Sequence, residues 1–400
     1  MSSTTRQTLV MLRANLLGLP HRLAISLSMA LSVALVVAVL TGFLAMAKGF
    51  EQALKGAGSP GVAVILGGGT NQETGSEISP DAIRAIEAMR NDLGVVRDAA
   101  GNLVSSREIV VPVDLRLAGD GTGRTLALRG MDTSGPSLRD GVRLSAGRLF
   151  RQGSREIVVG DRLAGEFPGF RVGDKVRLGV IDWTVAGHFS TGGSAFESEI
   201  WADLDAVRTG FDRQGQVQSL RLRLDSPTSI APLKGALSAV TGTPLLAIAE
   251  ADLYAAQSGR TADLIRLFGW PIALLMSVGA TAGALNTMMS SVSDRTVEIA
   301  TVRTLGFGRL AAFAATLAEA LLLSLVGAAI GIATSWAAFN GWQASTIGAN
   351  NAHMAFQLSV TADVMATAGL LGLAIGAIGG ALPAFAAARL PLTVALRARR

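Results

Sequence analysis

The sequence predicts an integral membrane protein. It has four transmembrane helices and a large mixed α+β extracytoplasmic domain inserted between the first and the second. Three observations carry this reading. Half of the 400 residues are hydrophobic, only 16% are charged, and the mean hydropathy is +0.43; soluble domains are roughly a quarter charged. Four intervals are long and almost free of charge: Leu23–Ala47, Leu267–Ser293, the stretch between Arg309 and Asp363 (whose single formal charge is Glu319), and Val364–Ala388. Basic residues cluster beside these intervals, at Arg6, Arg13 and Arg22, at Arg295, Arg303 and Arg309, and at Arg389, Arg397, Arg399 and Arg400.

The elements follow in chain order. Residues 1–22 place Leu9, Leu12, Leu16 and Leu19 at helical spacing before Pro20. That spacing predicts a short amphipathic helix on the cytoplasmic face, with a simple extension of the first span as the alternative. Residues 23–47 form the first span, about 38 Å long as a helix against about 30 Å of hydrocarbon. Ala45-Met46-Ala47 has the form of a secretory cleavage site. The apolar stretch before it exceeds the roughly 7–15 residues of a signal core, so an uncleaved span is expected.

Residues 48–266 read as an exported domain. VAVIL (62–66) is strand-like, and Ser79-Pro80-Asp81 starts a helix that continues through Ile83, Ile86 and Met89. Short strand-like runs follow at 107–117, 124–130, 155–160, 174–179, 183–189, 198–204 and 219–225, divided by Gly, Asp and Pro. In the last run Leu220, Leu222 and Leu224 share one face, with Arg221 and Arg223 on the other. A helical stretch from about Ala251 leads directly into the second span, 267–292. The chain has no cysteine, so this domain is held by its own core, for which it is long enough.

Residues 293–309 contain DRTVEIATVRTLG (294–306), a charged segment between two apolar runs. Arg295 and Glu298 stand at i, i+3 and can pair. Ile299 and Val302 share a face with Gly306, and Val297 lies opposite. Apolar side chains on more than one side suit a helix half set in the membrane surface and half in a partner's cleft; a solvated loop is the alternative. Gly306 and Gly308 turn the chain into the third span, 310–340, which carries Glu319. A short outer loop (341–363), the fourth span (364–388) and a basic tail (389–400) complete the chain. The basic pieces belong in the cytoplasm with both termini, and near-neutral 48–266 belongs outside. Gly279 and Gly283, Gly327 and Gly331, and Gly372, Gly376 and Gly380 repeat every four residues, which lets helices pack closely.

Several function classes lose support. No basic patch with interleaved aromatics points to nucleic acid. LGGGT (66–70) lacks the Gly-Lys-Ser/Thr ending of a phosphate-binding loop and reads as a turn. His21, His188 and His353 fall in three separate regions, so a multi-histidine metal site has nothing to build on. His188 near Ser190 and Ser194 has no nucleophile elbow beside it. Arginine far outnumbers lysine amid much Ala and Gly, the composition of a GC-rich bacterial gene.

DRTVEIATVRTLGFGRLAAFAATLAEALLLSLVGAAIG (294–331) resembles the shared membrane segment of the MacB/FtsX (LolC/E-like) class of ABC transporter permeases. The pattern is carried by Arg295, Glu298-Ile299, Arg303, Leu305-Gly306, Glu319-Ala320, Gly327 and Gly331. Phe307-Gly308 departs from the small residue and polar or basic residues usual there. GRLF (147–150), 155–179 and WTVAGHF (183–189) are similar to the exported core domain of the class, and RANLLGLPHRL (13–23) to its entry into the first span.

The resemblance implies that 293–309 is a coupling helix docked on a cytoplasmic ABC ATPase subunit. Arg295, Glu298, Ile299, Arg303, Leu305 and Gly306 would then lie at or near the contact. ATP and Mg would be bound by that partner, with no cofactor and no catalysis in this chain. Residues 1–22 alone precede the first span, so the ATPase is expected as a separate protein. The resemblance further implies a second permease copy (homodimer or related heterodimer), a possible periplasmic adaptor, and a place in the bacterial inner membrane. Motion driven by ATP would pass to the outer domain and move a lipoprotein, lipid, peptide or drug. Glu319 takes a helix-packing or coupling role. FtsX-like members use the same motion to switch a cell-wall hydrolase, but with a smaller outer domain, which favours transport here. A membrane-anchored hydrolase lacks a site in the sequence.

Overall fold

The computed structural model describes residues 3–18, 23–89, 93–116, 123–238, 244–348 and 352–391. Leu19, Pro20, His21, Arg22, Leu117, Arg397, Arg399 and Arg400 lie outside the described residues. The helices are α1 (Ser3–Leu17), α2 (Leu23–Lys55), α3 (Pro80–Glu87), α4 (Asp161–Glu166), α5 (Leu204–Gly210), α6 (Ile230–Leu237), α7 (Glu250–Asp294), α8 (Thr296–Thr304), α9 (Arg309–Phe339) and α10 (Ala362–Arg389). The strands are β1 (Val62–Gly67), β2 (Ser105–Arg116), β3 (Gly123–Met131), β4 (Arg143–Gly147), β5 (Glu156–Gly160), β6 (Lys175–Leu178), β7 (Ile181–Ser190), β8 (Glu199–Asp203), β9 (Ser219–Arg223), β10 (Leu245–Ala249), β11 (Gln343–Ile347) and β12 (His353–Gln357). They divide into two compact units: Met1–Lys48 with Asp263–Trp342 and Leu358–Arg400, and Gly49–Ala262 with Gln343–Gln357.

In the first unit, α2, α7, α9 and α10 are each long and apolar enough to cross a membrane. Val33, Val36, Val37 and Leu40 of α2 fill the space left by Ala273 and Ala280 of α7, Ala328 of α9, and Ala368 and Ile375 of α10. A second cluster joins Met29, Ala284, Met288, Ala320 and Leu323. Small residues on three helices thus let the branched side chains of α2 pack closely. Ala45 and Ala47 are fully buried inside uninterrupted α2. Helix α1 packs on the start of α9 through Met11 and Leu12 against Ala311, Ala312 and Ala315. Of the leucine stripe Leu12 joins this contact while Leu9 is 55% exposed, and Met11 is the buried residue at its centre.

The second unit is built on a ten-stranded sheet in the order β10-β1-β9-β2-β3-β8-β5-β7-β4, with β6 paired to β7. It is mixed, because β3 runs parallel to β8 and β5 parallel to β7. One face carries the core. Ile109, Val111, Leu126, Leu128, Ile157, Val159 and Ile200 pack with Leu163, Leu204 and Val207 of α4 and α5. Ala63, Ile65, Leu220, Leu222 and Leu224 pack with Ile83, Ile86, Leu233 and Leu237 of α3 and α6. Ser79 caps α3 by accepting the Ala82 N–H at 3.2 Å, with Pro80 in the first turn.

The outer loop expected over 341–363 contains more structure than a loop. Strands β11 and β12 form an antiparallel hairpin that belongs to the second unit. Arg162 Nη1 donates to Ala355 O at 2.8 Å, and Ala355 N–H donates to Ser198 Oγ at 3.0 Å. Phe356 meets Phe50 edge-to-face at 5.5 Å. Those tertiary partners make strands of QASTI and HMAFQ, which are too short to hold together alone.

Candidate functional site

Helix α7 ends at Asp294. Arg295 breaks the path with φ −101° and ψ 14°, and α8 runs over Thr296–Thr304. Gly306 closes it at φ +100°, a left-handed conformation that suits glycine. The N–H of Gly308, before α9, donates to Gln7 Oε1 at 3.1 Å. One side of α8 is occupied by the chain itself: Ile299 is buried with Val292, Ala387 and Leu390, and Val302 packs beside Met11 and Ala311. The other side is open. Val297 is 44% exposed and Leu305 76%, with Glu298 and Thr301 exposed between them.

The two arginines turn inward. Arg295 Nη2 donates to both Glu319 oxygens, at 2.9 and 2.7 Å, and to Ser291 Oγ at 2.8 Å. Both side chains of the pair are buried. The local Arg295–Glu298 pair anticipated from spacing does not form, because Glu319, twenty-four residues away, is the partner buried with Arg295. A carboxylate within an apolar helix is expensive unless paired, and Arg295 supplies that pair. Arg303 Nη1 donates to the Leu390 carbonyl after α10. Of the six residues singled out along 295–306, only Glu298 and Leu305 present side chains outward, and Gly306 supplies the turn.

A second constellation escaped the sequence reading. On the sheet face opposite the main core, Arg129, Arg139 and Arg221 interlock with Glu73, Glu108, Glu199 and Glu250. All are buried. Arg129 reaches Glu199 at 2.6 and 2.8 Å, Glu73 at 2.8 and 2.9 Å, and Glu108 at 3.0 Å. Arg139 grips Glu108 at 2.9 and 2.7 Å and lies 5.0 Å from the Phe196 ring centre and 5.2 Å from that of Trp201. Arg221 donates to Glu73 at 2.8 Å and to Glu250, the first residue of α7, at 2.9 Å. Burial would raise the Glu73 carboxyl, but Arg129 and Arg221 hold it well below the ordinary carboxylate range. The alternation of β9 correctly sets Arg221 opposite Leu220 and Leu222. It cannot show that the arginine face is also covered.

Nothing in either unit assembles a catalytic centre among the described residues. His188 Nε2 lies 2.5 Å from Phe170 O, while Ser190 Oγ donates to Glu197 at 2.8 Å, so histidine and serine do not meet. His353 faces Glu166 at 3.0 Å. Among the described residues no group of three or more His, Cys, Asp or Glu side chains could hold a metal ion.

The model of the MacB-like periplasmic core domain matches residues 26–240, more than half of the chain, and that of the FtsX-like permease C-terminal region matches residues 271–392. The chain belongs to the MacB/FtsX class of ABC transporter permeases. It is 26% identical over 297 residues to the macrolide export ATP-binding/permease protein MacB of Bordetella avium (strain 197N), covering 67% of this chain and 44% of the relative. MacB of Photorhabdus laumondii subsp. laumondii is 26% identical over 267 residues, covering 62% and 39%. The chain thus spans less than half the length of these curated relatives. Among solved structures, it is similar to the periplasmic region of MacB from Actinobacillus actinomycetemcomitans, with TM-score 0.37 and 12% identity over 50% of this chain and 92% of that one.

Within this MacB/FtsX permease the repeated glycines divide into two sets. A methyl group on Gly327 or Gly331 would strike the backbone of α2 at Ala30 or Ala34, and one on Gly376 or Gly380 would strike Ser324 or Ala320 of α9. Gly372 would crowd Val37 and Ala328. These five bring helices of one subunit together. Gly279 and Gly283 of α7 meet nothing within 4 Å.

Proposed function

We propose that this chain is the permease subunit of a bacterial inner-membrane ABC transporter, coupling ATP hydrolysis by a separate ATPase subunit to conformational change in its periplasmic core domain. In this reading α2, α7, α9 and α10 are the four spans, both termini are cytoplasmic, and α8 docks on the ATPase through Val297, Glu298, Thr301 and Leu305. Two copies of the permease act together, with the unpartnered Gly279 and Gly283 face of α7 directed toward the second copy. Substrate, in the range of lipoprotein, lipid, peptide or drug, is moved on the outer side, with an adaptor as a further partner.

The observation that carries this reading is α7. It is one unbroken 45-residue helix. Its first residue, Glu250, is ion-paired to the core sheet through Arg221, and its last precedes α8. A helix gripped at one end and adjoining a docking element at the other transmits displacement along its length. Hydrogen exchange on the purified permease–ATPase complex tests it. Trapping with ATP and vanadate should change amide exchange across β9 and residues 250–262. Identical exchange in the nucleotide-free and trapped complexes would defeat mechanotransmission.

A further inference from the structure

The family resemblance places Arg295, just before α8, and Arg303, within its last turn, at or near the partner contact. Their surroundings assign them differently. We propose that Arg295 and Arg303 are positioning residues that clamp α8 to α9 and α10, leaving the outward face alone for the partner. The proposal rests on α8 being the coupling element, but its test does not use the ATPase.

Helix α8 has nine residues, fewer than the roughly 12–15 at which an isolated helix becomes even marginal in water. A break at Arg295 precedes it and a left-handed glycine, Gly306, follows it. Neither junction fixes its direction. A tertiary anchor at each end supplies what the junctions lack. At the start, Arg295 Nη2 donates to both oxygens of Glu319 of α9 and to Ser291 Oγ of α7. At the end, Arg303 holds the Leu390 carbonyl after α10. Between them Ile299 is wedged against Val292, Ala387 and Leu390. Arg295 Nη2 holds both Glu319 oxygens while Nε of the same planar group donates to the Ser291 carbonyl at 3.3 Å, so one rigid side chain ties α9 to the end of α7. Pressure on Val297, Glu298 or Leu305 would then displace α9 through Glu319 and α10 through Leu390. The same geometry gives Glu319 its role: it is the anchor point in α9.

The absence of cysteine allows clean spin labelling of the full chain in lipid nanodiscs at Thr301→Cys and Leu325→Cys, both exposed positions. The parent should give a narrow interspin distance distribution. Glu319→Gln should broaden it, and Arg303→Gln should do so through the other end. Reversal of the pair, Arg295→Glu with Glu319→Arg, should narrow it again, which a merely space-filling role would not achieve. If Glu319→Gln fails to insert, Arg295→Lys keeps the charge but loses the Nε bond to the Ser291 carbonyl, and should still broaden the distribution. Distributions superimposable on the parent in Arg303→Gln and in whichever of Glu319→Gln or Arg295→Lys inserts would overturn the clamp, as would a reversed pair no narrower than Glu319→Gln. ATPase capture by the clamp variants without the label sites, which keep Val297, Glu298, Thr301 and Leu305, reports separately on the coupling reading.

Discussion

At the scale of single residues, Glu108 shows how a carboxylate is kept charged inside a sheet protein. Burial would push its carboxyl up, yet Arg139, Arg221 and Arg129 bring it down from 4.5 to about 2. The folded value lies below the unfolded one, so the stabilisation is fully present above the unfolded value and drains as pH falls from 4.5 toward about 2. Glu73 titrates in the same direction. Near-UV dichroism of the full chain during acid titration should therefore show tertiary loss around Trp201, whose Nε1 donates to Glu199, concentrated in that window. Glu108→Gln should cost about 3–5 kcal/mol by leaving buried guanidiniums short of an anion, and should flatten the acid transition. An unchanged melting temperature and acid profile would remove the network from the account of stability. None of this was legible in sequence. Its members are scattered from Glu73 to Glu250, and each looks like an ordinary surface charge until the sheet gathers them. The Arg295–Glu319 pair was hidden for a related reason, because spacing offers Glu298 as a local partner and says nothing of one a helix away.

At the scale of elements, pattern was a better guide. The charge-free intervals coincide with long helices, and most strand-like runs between 62 and 225 became strands, because a buried strand or span must be apolar along its own length. The misses share a cause. β4 (RLSAG) is almost entirely exposed, so it has no apolar signature. β10 (LLAIA) is a short apolar run that periodicity alone does not assign to strand or helix, and β11 and β12 are made by contacts remote in sequence. The glycine repeats illustrate the same boundary: spacing locates packing faces but not their occupants. Substituting Leu at Gly327 should prevent α9 from closing on Ala30 and reduce recovery of folded chain from membranes. Substituting Leu at Gly279 should leave the subunit folded and shift the detergent-solubilised protein from dimer toward monomer, read by mass photometry. Equal recovery of folded chain from Gly327→Leu, or an undisturbed dimer in Gly279→Leu, would contradict this division.

At the scale of the whole molecule, the chain passes between its two compact units along α2 and α7, and α8 follows directly on the second. Class membership was legible because the segment 294–331 keeps a recognisable pattern of charges among apolar residues; three of those charges, Arg295, Arg303 and Glu319, have inward partners. What the sequence could not divide is which of them face inward. The most direct test is purification of the chain from its native membranes with quantitative mass spectrometry, comparing the parent with Val297→Asp combined with Leu305→Asp. The account predicts an ABC ATPase in near-equal amount with the parent and its loss from the double variant, which should insert normally because both side chains point outward. An intact parent without any ATPase, or a double variant that retains it fully, would contradict the assignment of α8 as the coupling surface.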